Sequence, residues 1–458
     1  MGKSIRQDKF EALRGEFPSF TYEDFAYDLS AEGLKGSFRF LLGDRYAFTP
    51  SFFIPRKPFF LPDEEIRPCL SALIFHIGLI ELISYWKAAC PPEVFVKAGP
   101  LSATQAEWWK ALYFNGLGEF FYLNGICTDA HSFMNVRHTE GEGVKMQAPG
   151  TGAGTIIPVG GGKDSVVTLG LLGKLDGSLP LLLNPTRAAL DCVKMSGRDE
   201  GSVIEIRRNL DPLLLELNGQ GFLNGHTPFS ALLAFYALLG AVVSGRQYIA
   251  LSNESSANEP TIPGTGINHQ YSKSFAFETG FQDYLGRWLS GEIVYFSFLR
   301  PLNELRIAQL FSGFTAYHPV FRSCNAGSKT NAWCGKCPKC LFTRLILAPF
   351  LPEPYLDQLF GRKLLEDPEL ALYFDQLTGQ ADEKPFDCVG TIGEVNAAVR
   401  EAIRKHGSHS LPFLLERYAG QHPGNGDEKD LRHFLDSFDP RHAIPSSFLD
   451  ILKQAADG

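Results

Sequence analysis

Between Thr155 and Phe350, short apolar runs alternate with longer, helix-like ones. Positions 156–159, 181–183, 202–206 and 248–251 have the length and aliphatic content of buried strands, and 228–243 carries the nearly unbroken apolar pattern of a buried helix. Such alternation predicts an α/β fold, a parallel sheet covered by helices on both faces. Residues 1–150 read differently. Strand-like pieces such as 37–41 stand among apolar helical runs at 70–85 and 107–116, so an N-terminal α+β domain is expected, ending in a polar, Gly-rich linker over 139–154. Residues 351–458 show helical patterning, at 392–406 and 430–438, without a concentrated motif. The expected division is therefore 1–150, 151–350 and a helical C-terminal region over 351–458, with no internal repeat.

Composition narrows the class. With 458 residues, 44% apolar and 21% charged, the chain can bury a large core. The longest apolar stretch, 231–243, falls short of the roughly 18 to 20 residues that a membrane span needs. The stretch 71–86 is interrupted by His76 and Glu81, so no membrane partner is expected. No secretory signal opens the chain, and Arg6 stands where a myristoylation signal needs Ser or Thr. A net charge of −8 argues against a nucleic-acid partner, because phosphate backbones are bound through an excess of Lys and Arg.

The strongest chemical signal is Gly160-Gly161-Gly162-Lys163-Asp164-Ser165, placed between a strand-like run and a helix-like one. It reads as a phosphate cradle. Glycines let the backbone approach an anion, and the start of the helix presents unpaired N–H groups at the positive end of its dipole. A Walker A loop needs Lys followed by Ser or Thr, and here Asp164 intervenes, which disfavours kinase-like transfer. Gly-Gly-x-Asp-Ser after a strand resembles instead the pyrophosphatase-loop fold, related to the adenine nucleotide alpha-hydrolases, whose members cleave ATP to AMP and diphosphate.

Four of the nine cysteines cluster. Cys324, Cys334, Cys337 and Cys340 follow a C-x9-C-x2-C-x2-C spacing, in which the short gaps bring thiolates onto one ion and the longer loop returns a fourth. Structural zinc is expected. The competing reading is a redox-active pair, but four cysteines exceed what a dithiol needs. Cys69, Cys90, Cys127, Cys192 and Cys388 are scattered and read as ordinary packing residues.

Two polar clusters flank these motifs. The segment 252–259, with Asn253, Glu254, Asn258 and Glu259, follows a predicted strand and so lies at the carboxyl edge of the sheet, where open α/β folds bind ligands. The other, 268–274, contains His269 and Lys273. Each also reads as a solvated loop or a helix cap. His226, just before the long apolar helix, is equally a cap-region residue or a site group.

Together 160–165, 252–259, 268–278, 299–305, and Ser323-Cys324 with 333–340 resemble the MurL family, the bacterial UDP-N-acetylmuramoyl-L-alanyl-L-glutamate epimerases. Residues 84–88 and 90–93 extend the likeness toward the N-terminus, so that it covers most of 70–345. The loop and the cysteine pattern also resemble the 7-cyano-7-deazaguanine synthases, pyrophosphatase-loop enzymes with a four-cysteine zinc site. In one respect the chain departs from the usual loop, which begins with Ser where Gly160 stands.

The resemblance implies a cytoplasmic bacterial isomerase of peptidoglycan synthesis. It would invert the terminal L-glutamate of a UDP-sugar dipeptide with cleavage of ATP to AMP and diphosphate, and without pyridoxal phosphate. On that reading Gly160, Gly161 and Gly162 hold diphosphate, Lys163 and Ser165 contact it, and Asp164 holds Mg²⁺. Glu254, Glu259 and His269 are the candidates for proton transfer at Cα. Asn253, Asn258, Lys273 and Arg300 are the candidates for gripping the substrate, with Arg300 favoured for its planar fork. A rival from the same fold is an adenylating enzyme acting on a nucleobase carboxylate or tRNA, and a non-enzymatic rival is a nucleotide-sensing module.

Overall fold

The computed structural model describes residues 2–141, 146, 152–262, 264–421 and 430–457. Within these, eleven strands join one sheet: β1 (Ser19–Leu29), β2 (Gly33–Leu42), β3 (Tyr46–Phe48), β4 (Ser51–Pro55), β5 (Glu93–Leu101), β6 (Asn135–Glu140), β7 (Gly152–Pro158), β8 (Leu179–Leu183), β9 (Ile204–Asn209), β10 (Arg246–Leu251) and β11 (Val294–Ser297). Their order is β11-β10-β7-β8-β9-β4-β2-β1-β5-β6, with β3 beside β2. Six of the ten pairings are parallel, including all four that link β11, β10, β7, β8 and β9.

Successive residues of these parallel strands feed two different cores. Ile156, Leu181, Ile249 and Tyr295 point into one, and their neighbours Ile157, Leu182, Ala250 and Phe296 into the other. This follows from the period-two alternation of side chains, and it explains why such strands read as continuous apolar runs. Helix Phe229–Ser244, buried on nearly every side, covers the first face together with helix Asp63–Trp86. Helix Lys163–Leu172 and the C-terminal helices cover the second, where Phe448 packs its ring 5.0 Å from that of Phe296.

Helix Asp63–Trp86 is long and apolar enough to cross a membrane, but 83% of its apolar window is buried inside the fold. Of its two interrupting polar residues, Glu81 is paired there, whereas His76 keeps Nε2 buried without a hydrogen-bond partner. Glu81 receives two hydrogen bonds of 2.5 Å from Arg208 of β9 and one of 2.8 Å from the Tyr236 hydroxyl. His76 contacts the Ala72 carbonyl, and burial lowers its pKa to about 4.

The sheet runs unbroken past residue 150, because β4 pairs antiparallel with β9 at Ser51 with Asn209 and Phe52 with Arg208. Of the Gly-rich linker expected over 139–154, the two ends are strand, in β6 and β7, and most of the rest lies outside the described residues. The helix expected over 392–406 has those bounds, set by a capping box between Thr391 and Glu394.

Candidate functional site

At the end of β7 the chain turns through Gly160, Gly161 and Gly162 into helix Lys163–Leu172. Gly161 has φ +88°, and a β-carbon there would come within 2.7 Å of the Ala189 backbone nitrogen, so only glycine fits. At Gly160 a β-carbon would meet no protein atom within 4 Å. The helix start has no side-chain cap, in contrast to helices Ala103–Gly116 and Ile392–His406. Its first N–H groups and the open face of Gly160 border a cavity of about 500 Å³ at the carboxyl ends of β7, β8 and β10. A glycine-walled helix start facing a cavity offers free N–H donors of the kind that suit an anion.

Three carboxylates stand at the inner edge of this loop. Asp164, Glu254 and Glu304 bring one oxygen each within 4.8 Å of the others. Lys163 reaches beneath the loop to pair with both Asp164 and Glu304. Its side chain is 3% exposed and does not line the cavity, so the expected contact between Lys163 and phosphate is replaced by an ion pair. Burial disfavours the charge on both partners, but the two carboxylates prevail at Lys163 and hold its pKa above the usual range. Glu304 is pushed well upward, chiefly by burial. One Glu254 oxygen is buried without a hydrogen-bond partner. Three converging carboxylates, one of them with an oxygen left over, fit a divalent cation even with Lys163 and Lys273 nearby. Asp164, expected alone to hold Mg²⁺, thus has two companions. Ser165 lines the cavity, yet its hydroxyl is spent on the loop, accepting from Gly161 N at 3.2 Å and donating to Gly162 O at 2.9 Å.

The cationic wall is formed by Lys273, Arg322 and Lys339. Arg300 is not part of it. Fully buried, it pairs with Glu278 at 2.8 Å and donates to the carbonyls of Glu254, at 2.6 Å, and Lys273. The expected substrate fork is instead a brace that fixes two site residues from below. Asn253 lines the cavity and donates to Ser297 Oγ at 3.0 Å. Asn258 is turned to the main chain, bonding Ser255 O and Phe275 N. Glu259 pairs with Lys384 and does not line the cavity.

His269 lies in a second cluster. Its Nδ1 bonds the Glu119 carboxylate, and its Nε2 is 3.9 Å from Cys388 Sγ. The His226 ring stands 4.5 Å from that of His269. Burial opposes charge on both rings, but contacts to Cys388 and Glu119 raise His269 to about 9, whereas burial and the charged His269 lower His226 to about 4. His226, left open between cap and site by the sequence, therefore belongs to this cluster.

The four clustered thiols converge. Cys324 Sγ is 3.7 Å from Cys337 Sγ, Cys334 Sγ is 3.7 Å from Cys340 Sγ, and Cys337 and Cys340 are 3.5 Å apart. A tetrahedral ion with bonds of about 2.3 Å sets its ligands about 3.8 Å apart, so the group fits zinc. Gly327 N donates to Cys324 Sγ at 3.2 Å, the outer-shell support expected of a thiolate ligand. Cys324 and Lys339 also line the cavity, so this knuckle forms part of its wall.

Residues that the sequence did not single out come mostly from two places. Glu304 follows the helix cap Asn303, and Glu394, from the C-terminal helices, accepts from Glu304 N and Ser256 Oγ at 2.7 Å each. Arg322 and Lys339 flank and interleave the cysteine ligands, a position that could have marked them.

The MurL N-terminal domain family matches residues 11–298, and the MurL C-terminal domain family matches residues 320–430. The chain is similar to a protein of Xanthomonas oryzae pv. oryzae named UDP-N-acetyl-alpha-D-muramoyl-L-alanyl-L-glutamate epimerase. The two are 36% identical over 403 residues, 86% of this chain and 88% of the relative. A protein of the same name from Salinispora tropica is 34% identical over 88% of this chain and 89% of its own length. One from Micromonospora sp. is 32% identical over 84% and 86%. No solved structure matches. Matched along most of its length, in both of that family's domains, the chain belongs to the MurL family.

Proposed function

We propose that this protein is an ATP-dependent epimerase that inverts the terminal L-glutamate of UDP-N-acetylmuramoyl-L-alanyl-L-glutamate, in the peptidoglycan synthesis of a bacterial cytoplasm. The names of its relatives support the substrate and the reaction. The observation that carries the role of ATP is the uncapped, glycine-walled helix start opening on a cavity that also holds Lys273, Arg322 and Lys339. Triphosphate, UDP diphosphate and glutamate carboxylates are all anions, and three cations on one wall suit them. The parallel strands and the loop at the end of β7 favour a pyrophosphatase-loop fold for this part of the chain.

The chemistry gives ATP a purpose. An α-proton beside a carboxylate resists removal, because the carbanion would stand next to an existing negative charge. Attack of that carboxylate on the α-phosphate of ATP displaces diphosphate and leaves a neutral acyl group, a good electron sink. A base then takes the proton from one face, an acid returns one to the other, and water releases the inverted product with AMP. Closure of the activated glutamate to an oxazolone, through its own N-acyl oxygen, would acidify Cα further.

In this reading Gly160 to Gly162 and the following N–H groups bind phosphate, and Asp164, Glu254 and Glu304 would hold Mg²⁺, which would neutralise charge on the phosphates. Arg300 keeps Glu254 and Lys273 in register. Cys324, Cys334, Cys337 and Cys340 would hold structural zinc, since four thiolates leave no open coordination position.

The test is incubation with ATP, Mg²⁺ and the UDP-muramoyl dipeptide, with assay of both AMP and glutamate configuration. The two should appear together. Inversion without ATP would sink the adenylation step, and AMP release stimulated by a deazaguanine carboxylate or by tRNA, but not by the dipeptide, would favour the rival adenylating enzyme.

A further inference from the structure

Cys388 reads from the sequence as an ordinary packing residue, yet its surroundings are those of a reactive thiol. It lies in the connection before helix Ile392–His406, half-buried, where an apolar packing residue would be fully covered. Three side chains from different elements face its sulfur. His269 Nε2 is 3.9 Å away, and that ring is oriented by Glu119, only 9% exposed, through Nδ1. The ammonium of Lys273 bonds the sulfur directly, and that of Lys339 lies near enough to act on its charge. Both lysines line the cavity that holds the phosphate loop.

The arrangement is a thiol against an imidazole that is itself held by a carboxylate, with a lysine joining the thiol to the cavity wall. We propose that Cys388 is the proton-transfer residue on one face of the glutamate Cα, with His269 and Glu119 as positioning residues beside it. This deepens the epimerase reading and rests on it. Burial alone would raise the thiol, but Lys273, Lys339 and His269 outweigh it and bring it down to about 6. A base matched to neutral pH is what general-base catalysis favours. By contrast, burial raises Cys192 to about 12.

The step balances without any further reactant. The Cys388 thiolate takes the α-proton of the activated glutamyl group, and the C–H electron pair becomes the new C=C bond of an enolate whose charge rests on the former carbonyl oxygen. A protonated group on the opposite wall, resupplied by solvent, gives a proton to the other face, and the electron pair forms the new C–H bond. The Cys388 thiol then returns its proton to solvent. His269 keeps its own proton throughout, which separates this assignment from one in which the imidazole itself is the base.

The experiment compares wild type with Cys388→Ala and Cys388→Ser in D₂O, measuring three quantities at once. These are dipeptide-dependent AMP release, D-glutamate formation and deuterium at Cα. Both variants should still release AMP within a few-fold of wild type, while D-glutamate formation falls about a hundred-fold or more, the usual contribution of a positioned base. His269→Gln should also lose inversion while keeping AMP release. Inversion by Cys388→Ala within ten-fold of wild type would overturn the assignment. So would joint loss of AMP release and inversion in variants whose melting temperature is unchanged, because the thiol would then serve adenylation. Failure of wild type itself to release AMP strikes the ATP reading instead, so the two failures are told apart.

Discussion

Lys163 and Glu304 form an ion pair sealed beneath the phosphate loop, with side chains 3% and 4% exposed. The pair ties the first residue of helix Lys163–Leu172 to the first residue of helix Glu304–Gly313, and Asp164 shares the same ammonium. Removing the cation alone strands the buried Glu304 carboxylate and deprives the part-exposed Asp164 of its partner. Lys163→Met should therefore cost about 3–5 kcal/mol in urea unfolding. The double variant Lys163→Met with Glu304→Leu should recover most of that loss, and equal instability of single and double variants would contradict the pairing.

The glycines of the loop make opposite predictions. Gly161→Ala meets backbone at 2.7 Å with a positive φ, and should lose about 2 kcal/mol or more of stability. Gly160→Ala has free space, so its stability should stay within about 0.5 kcal/mol while ATP cleavage falls, because the methyl group enters the volume left for the anion. Thermal melts and AMP assays on the two variants check this directly.

How much of this is legible in the sequence depends on whether a signal is local. The loop 160–165 and the four cysteines announce themselves by spacing, because the chain itself brings their groups together. The parallel strands β7, β8 and β10 announce themselves because burial on both faces makes their C-terminal halves apolar runs. Strand β1 is hidden by Glu23, Asp24 and Asp28 along its length, and β11 by having only four residues. Arg300 looks like a ligand fork because nothing nearby in sequence names Glu278, 22 residues earlier, as its partner. Cys388 and Glu394 are invisible as site residues for the same reason, since their partners Lys273, His269, Ser256 and Glu304 come from far earlier in the chain and only tertiary packing joins them.

Zinc makes a separate prediction. The protein as purified should carry about one zinc per chain by atomic emission, and its four clustered thiols should resist a thiol reagent until a chelator is added. Cys334→Ser should lower stability by about 2 kcal/mol or more, the scale on which a tightly bound ion stabilises a fold. Full thiol reactivity without chelator would contradict a closed site.

The histidine pair sets a pH dependence. His226 is held neutral, with its pKa near 4, by burial and by the charged His269 beside it. Its unfolded value is about 6.5, so between these limits the unfolded chain binds more protons. Stability from this group is complete above about pH 6.5 and is lost as the pH falls toward about 4. His226→Gln should flatten that part of the stability curve, and an unchanged slope would contradict the assignment.

The central claim is that ATP is consumed to activate the glutamate carboxyl group. Dipeptide carrying ¹⁸O in its α-carboxylate tests it most directly, with mass spectrometry of the AMP released. Attack of that carboxylate on the α-phosphate, followed by water at the acyl carbon, predicts one heavy oxygen in each AMP formed during inversion. D-glutamate accumulating alongside AMP that contains only ordinary oxygen would contradict the account.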